Sequence, residues 1–134
     1  MPGMTITYEW RGSVDNAELD RLHAEGFGPP AGRTDWRAQL ERHSLGWVCA
    51  QEDGRLVGFV NVAWDGGVHA FLLDTVVAAR HRSAGVGTAL VATAAEHARA
   101  AGCAWLHVDF EEHLRPFYLD GCGFKETAAG LFAL

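Results

Sequence analysis

The sequence predicts a mixed α/β protein in which six or seven strands and about four helices alternate along 134 residues. Several short segments alternate apolar and polar residues, which is typical of strands, while one long alanine-rich segment has helical spacing. A short glycine-containing loop, residues 82–87, joins the most apolar strand to that helix. The predicted order is therefore strand, two helices, three strands, helix, strand, helix and a closing strand, with a further short strand at the end.

The first half begins with a strand over residues 5–10, followed by two amphipathic helices. Asp15 and Glu18 have the spacing of a capping box, so the first helix begins there. Thr34 or Asp35 can cap the second helix in the same way, through a side-chain oxygen.

Three strands follow the second helix. The first two span residues 46–52 and 55–64 and are joined by Asp53 and Gly54, a strong two-residue hairpin signal. The third, over residues 70–77, leads directly into the glycine-containing loop.

The second half consists of a long helix and shorter elements. Apolar residues repeat at helical spacing over residues 86–101, and a strand is predicted over residues 105–110. A short helix over residues 114–119 carries a proline in its first turn, where proline is tolerated. We expect a closing strand that starts at residues 123–124 and a further short strand at 130–134.

Composition limits the function classes. Nearly half of the residues are apolar and the net charge is −6, so we expect residues 1–134 to form a single globular domain that does not bind nucleic acid. No apolar run approaches the ~20 residues that span a membrane. Cys49, Cys103 and Cys122 are an odd, widely spaced set, which favours reduced thiols and a cytoplasmic location, and no cysteine or histidine spacing indicates a metal site.

The loop at residues 82–87 has the features of an anion site. It lies between a strand and a helix start, where backbone N–H groups and the positive end of the helix dipole can hold a phosphate. Gly85 and Gly87 allow close backbone approach, and Arg82 adds positive charge. The glycine spacing excludes both the P-loop and the dinucleotide fingerprint. We therefore expect a phosphorylated small molecule as ligand.

The pattern formed by Arg82, Gly85 and Gly87 resembles the coenzyme A loop of the GNAT superfamily of N-acetyltransferases. Residues 74–77 end the strand that lines the pantetheine arm in that family, and residues 117–124 resemble its late Phe-Tyr…Gly-Phe segment. The element order agrees with the same architecture over nearly the whole chain. The resemblance implies a central mixed sheet with two parallel strands that splay apart.

The resemblance also implies an activity. A GNAT enzyme moves the acetyl group of acetyl-CoA to a primary amine of a small molecule or peptide, by direct attack in a ternary complex and without a metal. Many family members pair through edge strands or helices, so a homodimer is compatible with it. The cofactor-binding residues implied are Val76, Val77, Arg82, Ser83, Ala84, Gly85, Val86, Gly87 and Thr88.

Tyr118 is the candidate acid that protonates the leaving thiolate, because a phenol is protonated at neutral pH. The family pattern has its Gly-Phe pair four and five residues after this tyrosine, whereas Gly123 and Phe124 follow five and six residues after it. One residue, Gly121 or a neighbour, is in effect inserted. Tyr118 is therefore either the acid or a packing tyrosine.

The general base has several candidates. Asp74 lies on the strand before the loop, and its alternative role is that of a hydrogen-bonded strand residue. Glu111, next to Glu112, could reach the acceptor and attract a cationic amine, or could complement a helix N-terminus. The strand histidines His69 and His107 are more typical of packed residues than of bases.

Aromatic residues near the first two helices could determine the acceptor. Phe27, Pro29, Pro30 and Trp36 could form an apolar lid, and Trp64 could contact the acceptor, although both tryptophans could equally be packing residues. A non-catalytic acyl-CoA sensor or interaction module with the same fold remains the alternative to an enzyme.

Overall fold

A computed structural model describes residues 5–28 and 34–134. In this part of the chain, a five-stranded sheet is combined with three α-helices and a π-helical segment. The elements in chain order are β1 (Thr7–Trp10), α1 (Asn16–Phe27), α2 (Trp36–His43), β2 (Ser44–Glu52), β3 (Arg55–Trp64), β4 (His69–Val77), α3 (Val86–Ala100), β5 (Trp105–His107) and the π-helical segment (Pro116–Gly121). Short 3-10 helices occupy Ala79–His81 and Glu112–Leu114. None of the described helices is long and apolar enough to cross a membrane.

The strands lie in sequence order, β1 to β5, across the sheet. The first four are antiparallel neighbours, and β5 joins β4 in parallel. The parallel pairing ends at Phe71 and His107, while β4 continues to Val77. The two parallel strands thus separate toward their carboxyl ends, as the resemblance implies.

Helices cover both faces of the sheet. On one face, α3 packs with Val86, Leu90 and Ala94 against the apolar side chains of β2, β3 and β4. On the other face, α1 and α2 pack with Leu19 and Leu40 against a second buried cluster. The sheet therefore separates two cores, and a residue on β4 contacts one helical layer or the other.

A register shift on β4 changes which layer its residues contact. Ala70 and Leu72 belong to the core under α3, but Val76 belongs to the core under α1. The shift occurs at Asp74 and Thr75, and Asp74 adopts the left-handed region with a φ of 58°. An extra residue in one strand of an antiparallel pair is a β-bulge, and it reverses the alternation beyond it. Asp74 and Val76 therefore face α1.

The N-caps of α1 and α2 are aspartates that the sequence predicts as caps. Asp15 accepts a hydrogen bond from the Glu18 amide at 2.9 Å, and Asp35 accepts one from the Ala38 amide at 3.2 Å. The Glu18 carboxylate does not complete a capping box; it accepts a hydrogen bond from the Leu56 amide instead. Glu18 thus connects α1 to the start of β3.

The predicted strand count of six or seven is wrong for the described residues, which form five strands. Neither residues 123–124 nor residues 130–134 form a strand. The Phe124 amide donates to the carbonyl of Tyr118, so it does not join a ladder. The chain from Phe124 onward has no sheet partner among the described residues, and its last apolar residues are exposed: Leu131, Phe132 and Leu134.

Cys49 gives a test of the buried core under α1. Its side chain is fully buried, and burial raises the pKa of the thiol from 9.0 to about 12. The unfolded chain can ionise this thiol above about pH 9, whereas the folded chain cannot, so stability present below pH 9 is lost as pH rises. We expect the free energy of unfolding to fall by up to about 1.4 kcal/mol per pH unit from this residue.

Urea denaturation at several pH values above 9 measures this slope. Cys49→Ala should reduce the slope, while Cys103→Ala at a partly exposed position should retain most of it. Equal slopes in the wild type and Cys49→Ala would show that Cys49 does not contribute.

Candidate active site

The loop between β4 and α3 presents an uncapped helix N-terminus. Ser83 and Gly85 both adopt the left-handed region, with φ of 64° and 86°. No described side chain caps α3, whereas α1 and α2 each have an aspartate cap. The first helical hydrogen bond runs from the Ala89 amide to the Gly85 carbonyl. The preceding amides of the first turn therefore point outward without intrahelical partners, which suits an anion.

Arg82 ties the loop to its surroundings. Its Nε donates to the Val77 carbonyl, and its Nη2 donates to the Glu25 carbonyl, both at 3.1 Å. The guanidinium group thus joins the end of β4 to the last turn of α1. Its charge lies beside the loop, but two of its hydrogen bonds are already used within the protein.

Glycine is needed at position 85 and at position 87 for two different structural reasons. Gly85 requires its positive φ, and a Cβ there would meet nothing within 4 Å. Gly87 has no such requirement, but a Cβ there would lie 3.0 Å from Cζ of Phe117. Gly87 therefore provides space for Phe117, so that the π-helical segment packs against the first turn of α3.

The π-helical segment accommodates the extra residue found in the sequence. The Cys122 amide donates to the Phe117 carbonyl five residues earlier, at 2.9 Å. A π-helical turn holds one residue more than an α-helical turn. The insertion is therefore absorbed within one turn, and Tyr118 lies in the core under α3 with only 5% of its surface exposed.

Tyr118 lies between aromatic rings and the bulge of β4. Its ring stacks on Phe110 with a centroid distance of 5.1 Å, and Phe117 and Phe124 contact its edges. Burial raises the pKa of Tyr118, and a polar interaction with the nearby Thr75 side chain opposes this rise. The phenol is therefore neutral at physiological pH and can donate a proton.

Asp74 lies at the centre of a polar network on the opposite face of the sheet. Its Oδ1 accepts a hydrogen bond from Nε2 of His23 at 3.0 Å, and its Oδ2 accepts one from Nδ2 of Asn61 at 3.3 Å. Asn61 is buried, and its Oδ1 accepts a hydrogen bond from Ser44 Oγ at 2.6 Å. The carboxylate is thus held by two donors from two different elements.

His23 is a functional candidate that sequence reasoning missed. Its ring stacks on Phe27 with centroids 4.3 Å apart, and Trp36 packs against it at 5.0 Å. His23 follows the buried Leu19 by four residues and precedes Phe27 by four, so helical spacing alone places it toward the sheet. That spacing was the signal in the sequence, but its partner Asp74 is 51 residues away.

The other base candidates lie apart from this network. The Glu111 side chain is 85% exposed, and its ion pair is with His113 at 3.7 Å. His69 and His107 bond to each other across the parallel strands, Nδ1 to Nε2 at 2.8 Å. In residues 5–28 and 34–134, no cluster of three or more histidine, cysteine, aspartate or glutamate side chains could hold a metal ion.

The predicted aromatic lid is only partly present. Phe27 is 58% exposed, but Trp36 is buried at 4% exposure and its indole nitrogen donates to Asp20. Trp36 is therefore a core residue, because it fills the space between α1, α2 and β3. Pro29 and Pro30 lie outside the described residues.

A groove of about 410 Å³ opens beside the loop, between α3 and residues 121–125. It extends from Thr88 in the first turn of α3 to Ala95, two turns further along. Its lining is more apolar than polar, and Lys125 provides a positive charge. The groove therefore leads away from the anion site along the same helix.

A sheet with splayed parallel strands, a bulge on β4 and an uncapped helix N-terminus form the architecture that the resemblance to acetyltransferases implies. Residues 14–124 match the sequence profile of the acetyltransferase (GNAT) family. The chain belongs to the GNAT acetyltransferase family. Among curated protein sequences, none matches it.

Solved structures of acetyltransferases share the fold. An acetyltransferase from Trypanosoma brucei is 23% identical, with a TM-score of 0.79 over 96% of this chain and 99% of that one. The aminoglycoside N-acetyltransferase AAC(6')-Iy in complex with CoA is 20% identical, with a TM-score of 0.79 over 99% and 96%. Glucosamine-6-phosphate N-acetyltransferase from Arabidopsis thaliana is 17% identical, with a TM-score of 0.74 over 96% and 98%.

The contact between Gly87 and Phe117 gives a test of the packing at the site. Gly87→Ala should destabilise the protein by about 1–2 kcal/mol, because the Phe117 ring must shift away from the new methyl group and this cost exceeds the gain in helix propensity. In combination with Phe117→Leu, which removes the ring edge, the cost should be smaller than the sum of the two single changes. Urea denaturation of the wild type, the two single variants and the double variant measures this coupling. If the changes in the free energy of unfolding were additive, the contact between Gly87 and Phe117 would be contradicted.

Proposed function

We propose that the protein transfers the acetyl group of acetyl-CoA to a primary amine of a small molecule or peptide, by direct attack in a ternary complex. The observation that carries this proposal is the uncapped N-terminus of α3 at the point where β4 and β5 separate. This helix end would bind the pyrophosphate, and the nearby opening between β4 and β5 would hold the thioester.

The pyrophosphate would bind the outward amides of the loop and of the first turn of α3. Left-handed residues such as Ser83 and Gly85 occur in anion nests, in which successive N–H groups converge on one anion, so this loop would form such a nest. Arg82 would add charge while holding the loop to α1. The proposed cofactor-binding set is residues 76–77 and 82–88.

The thioester would lie in the opening between β4 and β5. An amide N–H near Val76 could stabilise the oxyanion that develops on the carbonyl oxygen. No covalent enzyme intermediate is needed, so the rate comes from positioning and proton transfer. Tyr118 would protonate the leaving sulfur, and its neutral phenol beside Thr75 supports that role.

The acceptor would approach from the α1 side of β4. The carboxylate of Asp74 lies on this face and would attract an ammonium group. Exposed Phe71, Leu73 and Phe27 offer apolar surface for the carrier of the amine. Glu111 is exposed and would act only as an additional charge toward a cationic acceptor.

The cofactor site can be tested with two valine substitutions at equivalent backbone positions. Gly85 and Gly102 flank α3 and have φ of 86° and 99°, and a Cβ added at either residue would meet no atom within 4 Å. Valine at either position should cost about 1–2 kcal/mol from backbone strain. Only Gly85→Val should abolish binding of acetyl-CoA, since it disturbs the anion nest.

Calorimetric titration with acetyl-CoA and with free CoA measures this difference. One site per chain in the wild type and in Gly102→Val, with loss in Gly85→Val, is the expected result. Binding of wild-type strength in Gly85→Val would place the cofactor elsewhere. Cofactor binding without amine-dependent release of CoA thiol would favour the non-catalytic sensor over the enzyme.

Tyr118→Phe tests the acid. The change keeps the ring packing on Phe110, so we expect normal stability and normal affinity for acetyl-CoA. The turnover number should fall by about 10²-fold, the lower end of the range for a proton-transfer group. Because the pKa of Tyr118 is raised, this loss should be constant across neutral pH. An unchanged rate of thiol release would make Tyr118 a packing residue.

A further inference from the structure

The His23–Asp74 pair joins α1 to the bulge of β4 on the face where the acceptor would approach. A carboxylate can only accept a hydrogen bond, so Nε2 of His23 carries a proton and donates it to Oδ1 of Asp74. The remaining ring nitrogen, Nδ1, is then unprotonated in the neutral imidazole. No hydrogen bond to Nδ1 is formed by residues 5–28 and 34–134.

The ring of His23 is held in a fixed orientation. Phe27 stacks on one face within 15° of parallel, Trp36 packs against it at 47°, and Asp74 fixes Nε2. About a quarter of its side chain is exposed, so the ring is both held and accessible. A histidine fixed by a carboxylate through one nitrogen, with the other nitrogen open, is the arrangement of a general base in hydrolase triads.

We infer that His23 accepts the proton of the acceptor ammonium group and that Asp74 is the positioning residue that holds its ring. This inference rests on the proposed acetyl transfer. Both oxygens of Asp74 already accept hydrogen bonds, from His23 and Asn61, which leaves the carboxylate better suited to hold a ring than to take a proton. The unprotonated Nδ1 of a neutral imidazole has a free lone pair, so it is the better placed of the two groups to act as the base.

The charged groups facing His23 are few among the described residues. Asp74 faces it from β4, while Asn61 behind Asp74 is neutral. On its own helix, Asp20 lies one turn earlier and is engaged by the Trp36 indole, which is the group that α2 presents. Proton uptake by His23 would therefore create an ion pair with Asp74, since the aspartate already lies 3.0 Å away.

Atoms and charges balance for an acceptor that enters as an ammonium ion. One N–H bond breaks and its proton passes to Nδ1 of His23, and the freed lone pair forms the C–N bond to the thioester carbonyl carbon. The C–S bond then breaks, and the sulfur takes the proton of Tyr118. The nitrogen loses its second proton, which restores the Tyr118 phenol. The products are the amide, free CoA thiol and an imidazolium that returns its proton to solvent.

His23→Gln tests this assignment with a matched control. Glutamine can keep a donor toward Asp74 but has no titratable nitrogen. His97→Gln is the control, because His97 also stacks on an aromatic ring, Trp10, at 4.5 Å, but on the other face of the sheet. Steady-state thiol release is measured from low to high pH, together with calorimetric titration of acetyl-CoA.

The expected result is a fall in turnover of about 10²-fold in His23→Gln with unchanged affinity for acetyl-CoA. The rise in wild-type rate with pH, which reports deprotonation of the base, should be lost in that variant and kept in His97→Gln. Asp74→Asn, which tolerates the left-handed backbone, should also slow turnover. The variant that carries both His23→Gln and Asp74→Asn should be little slower than His23→Gln alone, since both changes disrupt the same His23–Asp74 pair.

Thiol release distinguishes a failure of the proposed acetyl transfer from a failure of the His23 assignment alone. If the wild-type protein releases no thiol with any amine, the proposed function and this assignment are both overturned. If it does, and His23→Gln keeps its rate within about twofold with the same pH profile, the His23 assignment alone is overturned. Multiplicative losses in the double variant would also contradict a shared role for His23 and Asp74.

Discussion

The bulge on β4 is the constraint that connects the two cores of this protein. Without the extra residue, strict alternation would direct Asp74 and Val76 toward α3, as it does Ala70 and Leu72. With it, Asp74 faces α1 while the next residue, Thr75, faces Tyr118. Two neighbouring residues of β4 thus contact the α1 layer and the α3 layer, respectively. Asp74 adopts a positive φ at this point, a conformation that aspartate tolerates better than most residues.

The approach of α1 to the sheet depends on a second detail. A Cβ at Gly26 would lie only 2.7 Å from a methyl group of Val76, so α1 packs closer to β4 than a larger residue would allow. Arg82 reinforces this contact, because it donates to the last turn of α1. The loop next to α3 and the helix that carries His23 are therefore coupled through the backbone of α1.

The sequence predicts local features of this fold better than distant ones. Asp15, Asp35 and the Asp53-Gly54 turn act within a few residues, so their chemistry is visible in the sequence. A strand, in contrast, exists only with a partner, and the residues after Phe124 have no described neighbour to pair with. The Asp74–His23 contact joins residues 51 positions apart, and no local pattern encodes it.

The π-helical turn at residues 116–121 has a consequence for how this region can change in length. An inserted residue in an α-helix ordinarily rotates everything that follows by about 100°. Here the additional residue is confined to one wide turn, Pro116–Gly121, which contains Tyr118 and is closed by the bond from the Cys122 amide to the Phe117 carbonyl. The wide turn thus takes up the additional residue while the phenol of Tyr118 still faces Thr75 of β4. A change in the length of this turn would therefore alter the groove beside Lys125, because residues 121–125 form one of its walls.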